Sequence, residues 1–309
     1  MIRAGVGQSQ EKVTRCAVEK AAAQALSRAG ISRADFAIIF FTADHAAQSS
    51  DWVTGLSQAV GTDCVVGSSG AGVLTGEGEI EGGPGVVVCV VASDTLMARP
   101  FIFEPLRDNE TNLGVSFGDF LAKTEEKNSL LILLPDSYQG NPQPLLAGMA
   151  RRAGFHPVIG AGSSENGTTG ATYQLCGDKL ATNSVAGAYL SGDFTLRVDI
   201  TQGCQPITEP MVITKAERNL IYEINGRPAL ETFAGLLKGP LAEDIRRAVS
   251  VIFVGLPANR QENSVADGQY VVRNIIGMTT SSAVGELAAE IVLGGPGKKS
   301  TPFSPDRFV

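Results

Sequence analysis

The residues best suited to chemistry in this chain are serines set between glycines. Gly67-Ser68-Ser69-Gly70 follows the apolar pair Val65-Val66, and Gly160, Gly162 and Ser163 follow Val158-Ile159. Glycine lets backbone N–H groups approach a ligand and a serine hydroxyl both donates and accepts, so the segments 67–72 and 160–164 read as loops built for small-molecule contact. Nucleophilic attack by Ser69 is a different chemistry, with His156 downstream and His45 as the histidines available to it. A nucleophile elbow needs a helix directly after its serine. Here EGEIEGGPG alternates like a hairpin, with Glu77, Glu79 and Glu81 on one solvated face. The same hairpin removes the dinucleotide reading of Gly70, Gly72 and Gly76, because a pyrophosphate is held by a helix N-terminus. Gly297-Lys298-Lys299 lacks the upstream glycine and the hydroxyl residue of a phosphate-binding loop. Two histidines and five scattered cysteines show no CxxC or HExxH spacing, so no metal site is expected.

Both Gly/Ser segments are placed by a repeat. Ile38-Ile39-Phe40-Phe41 matches Leu131-Ile132-Leu133-Leu134 at an offset of 93 residues, and Val65-Val66-Gly67 matches Val158-Ile159-Gly160 at the same offset. Gly55 and Gly148 pair in this way, as do Gly61 and Gly154, so no insertion interrupts the match. Each copy reads as a buried strand, a helix and a second strand. Trp52, Val53, Leu56 and Val60 supply the apolar helical face in one copy, and Leu145, Leu146, Met149 and Ala153 in the other. A hairpin and two strands follow in each, Val86–Ala92 with Leu96–Phe103 and Val185–Leu190 with Phe194–Ile200, and a helix around Asn112 to Thr124 joins the copies. Beyond a boundary near Gly203 the pattern changes. Helices are expected around Ala229–Lys238 and Leu241–Val249, and strands near Val251–Val254 and Tyr270–Ile276.

The fold class that results is α/β of the mixed α+β kind, with duplicated strand–helix–strand–hairpin units forming mixed sheets with flanking helices, plus a smaller C-terminal α/β lobe. The first domain spans 1–203, with repeats at about 30–105 and 128–201, the lobe spans 204–293, and the Gly/Pro/Lys-rich stretch 294–309 reads as a disordered tail.

A net charge of -7 repels phosphate backbones and anionic headgroups, so neither nucleic acid nor a membrane surface is an expected partner. No apolar run approaches the length of a membrane span, and the opening MIRAGVGQSQEK lacks the apolar region of a secretory signal, which gives a cytoplasmic expectation. Cys16, Cys64, Cys89, Cys176 and Cys204 are odd in number and lie mostly in apolar runs, as reduced, buried thiols would.

VVGSSGAGVLTGEGEIEGGPGVVV at 65–88 resembles the N-terminal half of FIST domain proteins. QGCQPITEPMVITKAERNLIYEINGRPAL at 202–230, with FVGL at 253–256 and VVRNIIG at 271–277, resembles their C-terminal half. The resemblance implies a sensory module, usually bacterial and intracellular, that binds a small ligand such as an amino acid and takes part in signal transduction. This chain carries no recognisable output domain, so a signalling partner in trans is implied. Some family members bind haem and sense nitric oxide, an alternative that would use His156 or His45 as axial ligand; otherwise no cofactor is expected. The chain departs from the family past VRNIIG, where relatives continue with further strands and a helix. Among the residues that match the family motifs, Cys204 is a thiol able to line a cleft, ligate or react, while Arg227, Arg273 and the adjacent Asn274 suit a ligand carboxylate. Ligand binding without turnover is the first expectation, and an enzyme using Cys204 or Ser69 is the rival.

Overall fold

The computed structural model describes residues 1–48, 51–123, 128–197, 204–217, 220–257, 270–275, 279–281 and 284–286. The chain divides into two compact units, Met1–Arg197 and Val198–Val309. Both combine mixed or antiparallel sheets with helices, so the fold is α/β in the mixed sense.

The first unit passes twice through one series of elements. The first pass comprises β1 (Ile2–Ser9), α1 (Thr14–Ala29), β2 (Phe36–Thr42), a 3-10 turn (Ala43–Gln48) and α2 (Asp51–Val60). It continues with β3 (Val65–Gly70), the hairpin β4 (Gly72–Thr75) and β5 (Gly78–Glu81), and β6 (Val86–Ser93). The second pass comprises β7 (Leu96–Phe103), α3 (Glu110–Leu121), β8 (Ser129–Pro135) and α4 (Pro142–Ala153). It ends with β9 (Val158–Gly160), the hairpin β10 (Gln174–Cys176) and β11 (Lys179–Ala181), and β12 (Val185–Gly192). The sheet orders β1-β6-β2-β3 and β7-β12-β8-β9 correspond strand for strand. In each, the last pair of that order, β2 with β3 and β8 with β9, is parallel and joined by a helix, as a parallel connection requires.

Strand pairing phases the repeat differently from the apolar pattern. Leu96–Phe103 pairs with β12 along its whole length, so it opens the second pass instead of closing the first. The equivalent opening strand of the first pass is β1, which pairs with β6 and, with α1, is additional to the elements read from sequence. Phe194–Arg197, expected as strand, has no regular structure, and 198–200 lie outside the described residues, as do Gly203 and the stretch 294–309.

The two sheets pack face to face with helices outside. Ile39, Phe41, Val65 and Val88 turn toward α1 and α2, while Leu131, Leu133 and Tyr189 turn toward α3 and α4. Phe36, Val66, Leu130, Ile132 and Leu134 meet between the sheets. Burial on both faces explains the unbroken apolar run of β8, with its period of two hidden, and most of that of β2, where Phe40 is exposed. Helix α1 lies unusually close to its sheet. Ala21 and Ala25 are fully buried, and a Cβ on Gly5 or Gly7 of β1 would strike the carbonyl oxygens of Ala25 or Ala21.

The second unit has the antiparallel run β13 (Ile213–Glu217), β14 (Leu220–Ile224) and β15 (Arg227–Pro228), then α5 (Ala229–Leu236), α6 (Pro240–Glu243) and α7 (Ile245–Val251). The pair β16 (Phe253–Pro257) and β17 (Tyr270–Asn274) and the pair β18 (Thr279–Ser281) and β19 (Val284–Glu286) follow. Ile221, Ala229, Phe233, Leu237, Ala248 and Ile275 form its core. Among the described residues no helix is long and apolar enough to cross a membrane.

Candidate functional site

The first Gly/Ser segment is strand, not loop. Val65–Gly70 is β3, flanked by β2 on one side and β10 on the other, and Ser68 and Ser69 are buried. Local composition predicts a loop because serine and glycine are poor strand formers in isolation. Here the strand is held by neighbours on both edges, and a Cβ on Gly67 would collide with the carbonyl of Ile39. The second segment does leave its strand at Gly160, whose φ of 150° and close approach to the Leu133 carbonyl demand glycine. It then returns to the sheet at Ser163, which forms a parallel bridge with Asp136.

These segments meet. Ser69 donates its hydroxyl hydrogen to the Ser164 carbonyl at 2.9 Å and accepts from the Tyr173 N–H at 3.0 Å. The Ala71 N–H donates to the Ser164 hydroxyl at 3.1 Å. Buried Gln174 donates to the hydroxyls of Ser163 and Thr172 at 3.0 and 3.1 Å, and its carbonyl accepts from Ser184 at 2.8 Å. Asp136 accepts from the N–H groups of Tyr138, Gln139 and Asn183. Burial of Glu165 favours its neutral form, but the N–H of Thr169, the phenol of Tyr138, the hydroxyl of Thr169 and the N–H of Thr168 outweigh it and hold its carboxyl at about 2. The hydroxyls of Ser69, Ser163 and Ser164 are therefore engaged by the protein, in a network that joins the two passes. Sequence reasoning missed Asp136, Glu165 and Gln174. The only signal was a carboxylate or amide abutting an apolar strand, which is common at any strand end.

The histidines lie elsewhere. His45 is fully buried, with its Nδ1 2.9 Å from the Thr14 hydroxyl, and burial lowers its pKa against the weaker opposing effect of Asp44. Half-buried His156 precedes Pro157 at the start of β9. Among the described residues no three His, Cys, Asp or Glu side chains gather as metal ligands. The thiols are free, and their burial was overstated from sequence: Cys16 is exposed and the other four are partly buried.

The second unit contains a cavity of about 370 Å³. Cys204 and the segment after it, through Met211, form one wall; Ile221 and Ile224 of β14, Thr232, Phe233 and Leu236 of α5, Val254 and Leu256 of β16, and Tyr270 and Val272 of β17 form the others. The Tyr270 phenol donates to the Cys204 carbonyl at 2.6 Å. Of the second-unit residues nominated from sequence, only Cys204 is on this wall. Arg227 and Asn274 are exposed on β15 and β17, and Arg273, which alternates with Val272, donates to the Val272 carbonyl at 2.9 Å. The cavity was not legible in sequence because its walls come from five separate stretches of ordinary apolar residues.

The FIST N domain family model matches residues 35–227, which runs across the division between the units. An uncharacterized protein of Mycobacterium bovis is 26% identical over 294 residues, covering 95% of this chain and 74% of the relative. An uncharacterized protein of Mycobacterium tuberculosis is 26% identical over 288 residues, covering 92% and 73%. Among solved structures, cyanuric acid hydrolase from A. caulinodans aligns with a TM-score of 0.34 at 13% identity, over 62% of this chain and 72% of the hydrolase.

Proposed function

The chain belongs to the FIST N domain family, and on that premise we propose that it is a small-molecule sensing module of signal transduction that takes its ligand in the cavity of the second unit. The family match supports the sensory role. The observation that carries the assignment of place is the cavity itself: its volume of about 370 Å³ is metabolite-sized, and a mainly apolar wall carries a few polar groups, among them the Cys204 thiol and the Thr232 hydroxyl. The ligand binds reversibly. The Ser69 hydroxyl donates its hydrogen bond to a backbone carbonyl, and the described cavity wall places no imidazole beside Cys204. The second unit corresponds in this reading to the family's C-terminal domain, and the response is passed to a separate signalling protein.

An amino acid fits the cavity poorly, since Arg227 and Arg273 are off its wall. Of the two histidines named for haem, the His45 ring is sealed in the core with one nitrogen on Thr14, and half-buried His156 belongs to the first unit, off the described cavity wall. Native mass spectrometry of the freshly purified full chain, against the denatured mass, tests the proposal. A stoichiometric small-molecule adduct, lost when Phe233 or Val272 is enlarged to tryptophan, is expected. A bare protein that also shows no thermal shift with any member of a broad metabolite panel would overturn it.

A further inference from the structure

The chemistry of the cavity wall narrows the class of ligand. Among its described residues Glu209 is the one with a formal charge, and none of them is a lysine, arginine or histidine. A carboxylate or phosphate taken inside would lose its hydration with no cation to replace it, and would meet the Glu209 carboxylate at the exposed side of the wall. The α-carboxylate of an amino acid meets the same obstacle. The polar side chains are few: the Thr232 hydroxyl already donates to the Pro228 carbonyl at 3.2 Å, the Cys204 carbonyl accepts from Tyr270, and the Gln205 amide and Thr208 hydroxyl are neutral groups on the segment after Cys204, Gln205 being exposed. Against this stand aromatic Phe233, the adaptable thioether of Met211, and Ile221, Leu256 and Val272.

We infer that the cavity takes a neutral, largely apolar molecule, an aromatic or medium-chain aliphatic compound with at most a hydroxyl-like polar end, and discriminates against carboxylates. This rests on the reading of the cavity as the sensing site. Phe233 belongs both to the cavity wall and to the core of the second unit, so an occupant adds apolar contacts to that core and raises its stability.

The full chain is titrated with the neutral fluorophore N-phenylnaphthylamine, and the bound probe is then displaced with decanol, decanoate or leucine. Saturable binding is expected, with decanol displacing at least about tenfold more effectively than decanoate, and leucine not displacing, as the desolvation cost of an unpaired carboxylate requires. Leu236→Trp, which puts an indole into the cavity, should weaken probe binding about tenfold or more with its circular dichroism retained. Should that variant not fold, Glu209→Lys at an exposed position serves instead: it should narrow the gap between decanol and decanoate severalfold by improving decanoate alone. Decanoate or leucine competing as well as decanol overturns the inference, as does probe binding unmoved in a folded Leu236→Trp variant or a decanol–decanoate gap unmoved in Glu209→Lys. A charged adduct by native mass spectrometry with no probe binding overturns the ligand class while leaving the sensing module intact. No adduct, no probe binding and no thermal shift overturn both.

Discussion

Tyr270 on β17 donates a 2.6 Å hydrogen bond to the backbone carbonyl of Cys204, binding two stretches of the cavity wall that are 66 residues apart in the chain. Replacing Tyr270 with phenylalanine keeps the ring and leaves the carbonyl without that donor. The variant should lose on the order of 1 kcal/mol of second-unit stability, read by thermal or denaturant unfolding, and should bind the cavity ligand more weakly.

Ser69 performs the corresponding task in the first unit. Ser69→Ala removes the donor to the Ser164 carbonyl and the acceptor for the Tyr173 N–H together. Denaturant unfolding should show a loss of about 1–3 kcal/mol, with ligand binding in the second unit unchanged. A fall in binding without a fall in stability would give Ser69 a direct role at the ligand.

Gly67 within β3 and Gly160 at the end of β9 occupy equivalent positions of the repeat, where the backbone of the adjoining strand lies against the missing side chain. Alanine at Gly67 meets the Ile39 carbonyl, and alanine at Gly160 meets the Leu133 carbonyl in a left-handed conformation as well. Each should cost about 3 kcal/mol or more, seen as loss of soluble expression or a sharply lowered melting temperature, whereas alanine at Gly76, with nothing near its Cβ, should be nearly silent.

Two buried groups set successive pH windows. His45 has a lowered pKa because burial penalises its charged form, so the unfolded chain takes up a proton near the ordinary 6.5 before the folded one does. Its contribution is complete above that pH and drains away as pH falls below it. Glu165 is depressed from 4.5 to about 2, so its contribution is present above about 4.5 and is lost as pH falls toward 2. Denaturant unfolding across a pH series should show both slopes, with His45→Asn flattening the upper window and Glu165→Gln the lower.

Thiol reactivity should follow burial. Cys64 is pushed up to about 11 by burial, with Cys176 and Asp35 adding to it, and Cys176 to about 11 by burial and Asp178; burial also raises Cys89. Iodoacetamide at neutral pH, followed by peptide mass spectrometry, should modify exposed Cys16 first and these three slowly. Cys204 should label at a rate that falls when the cavity is filled.

The sequence by itself was sufficient for whatever depends on local pattern. Ile38–Phe41 and Leu131–Leu134 announce strands because a strand covered largely on both faces is apolar along its run, and their constant spacing exposes the duplication. The Ala229–Leu236 helix and the Glu77–Glu81 hairpin are equally local. Burial of Ser68 and Ser69 is a different matter: it depends on β10 arriving from over 100 residues away, and on Ser164 and Tyr173 meeting a hydroxyl that local propensity assigns to a loop. The partner of Leu96–Phe103 is likewise chosen by β12, which either neighbouring sheet could have claimed on composition alone. Arg227 and Arg273 carry the chemistry of a carboxylate site, yet strand alternation and exposure keep both off the cavity wall, while unremarkable residues such as Thr232, Leu256 and Val272 form it. Periodicity is written residue by residue, and so is legible. Which polar groups find partners, and which apolar faces enclose a space, is settled only when distant segments pair.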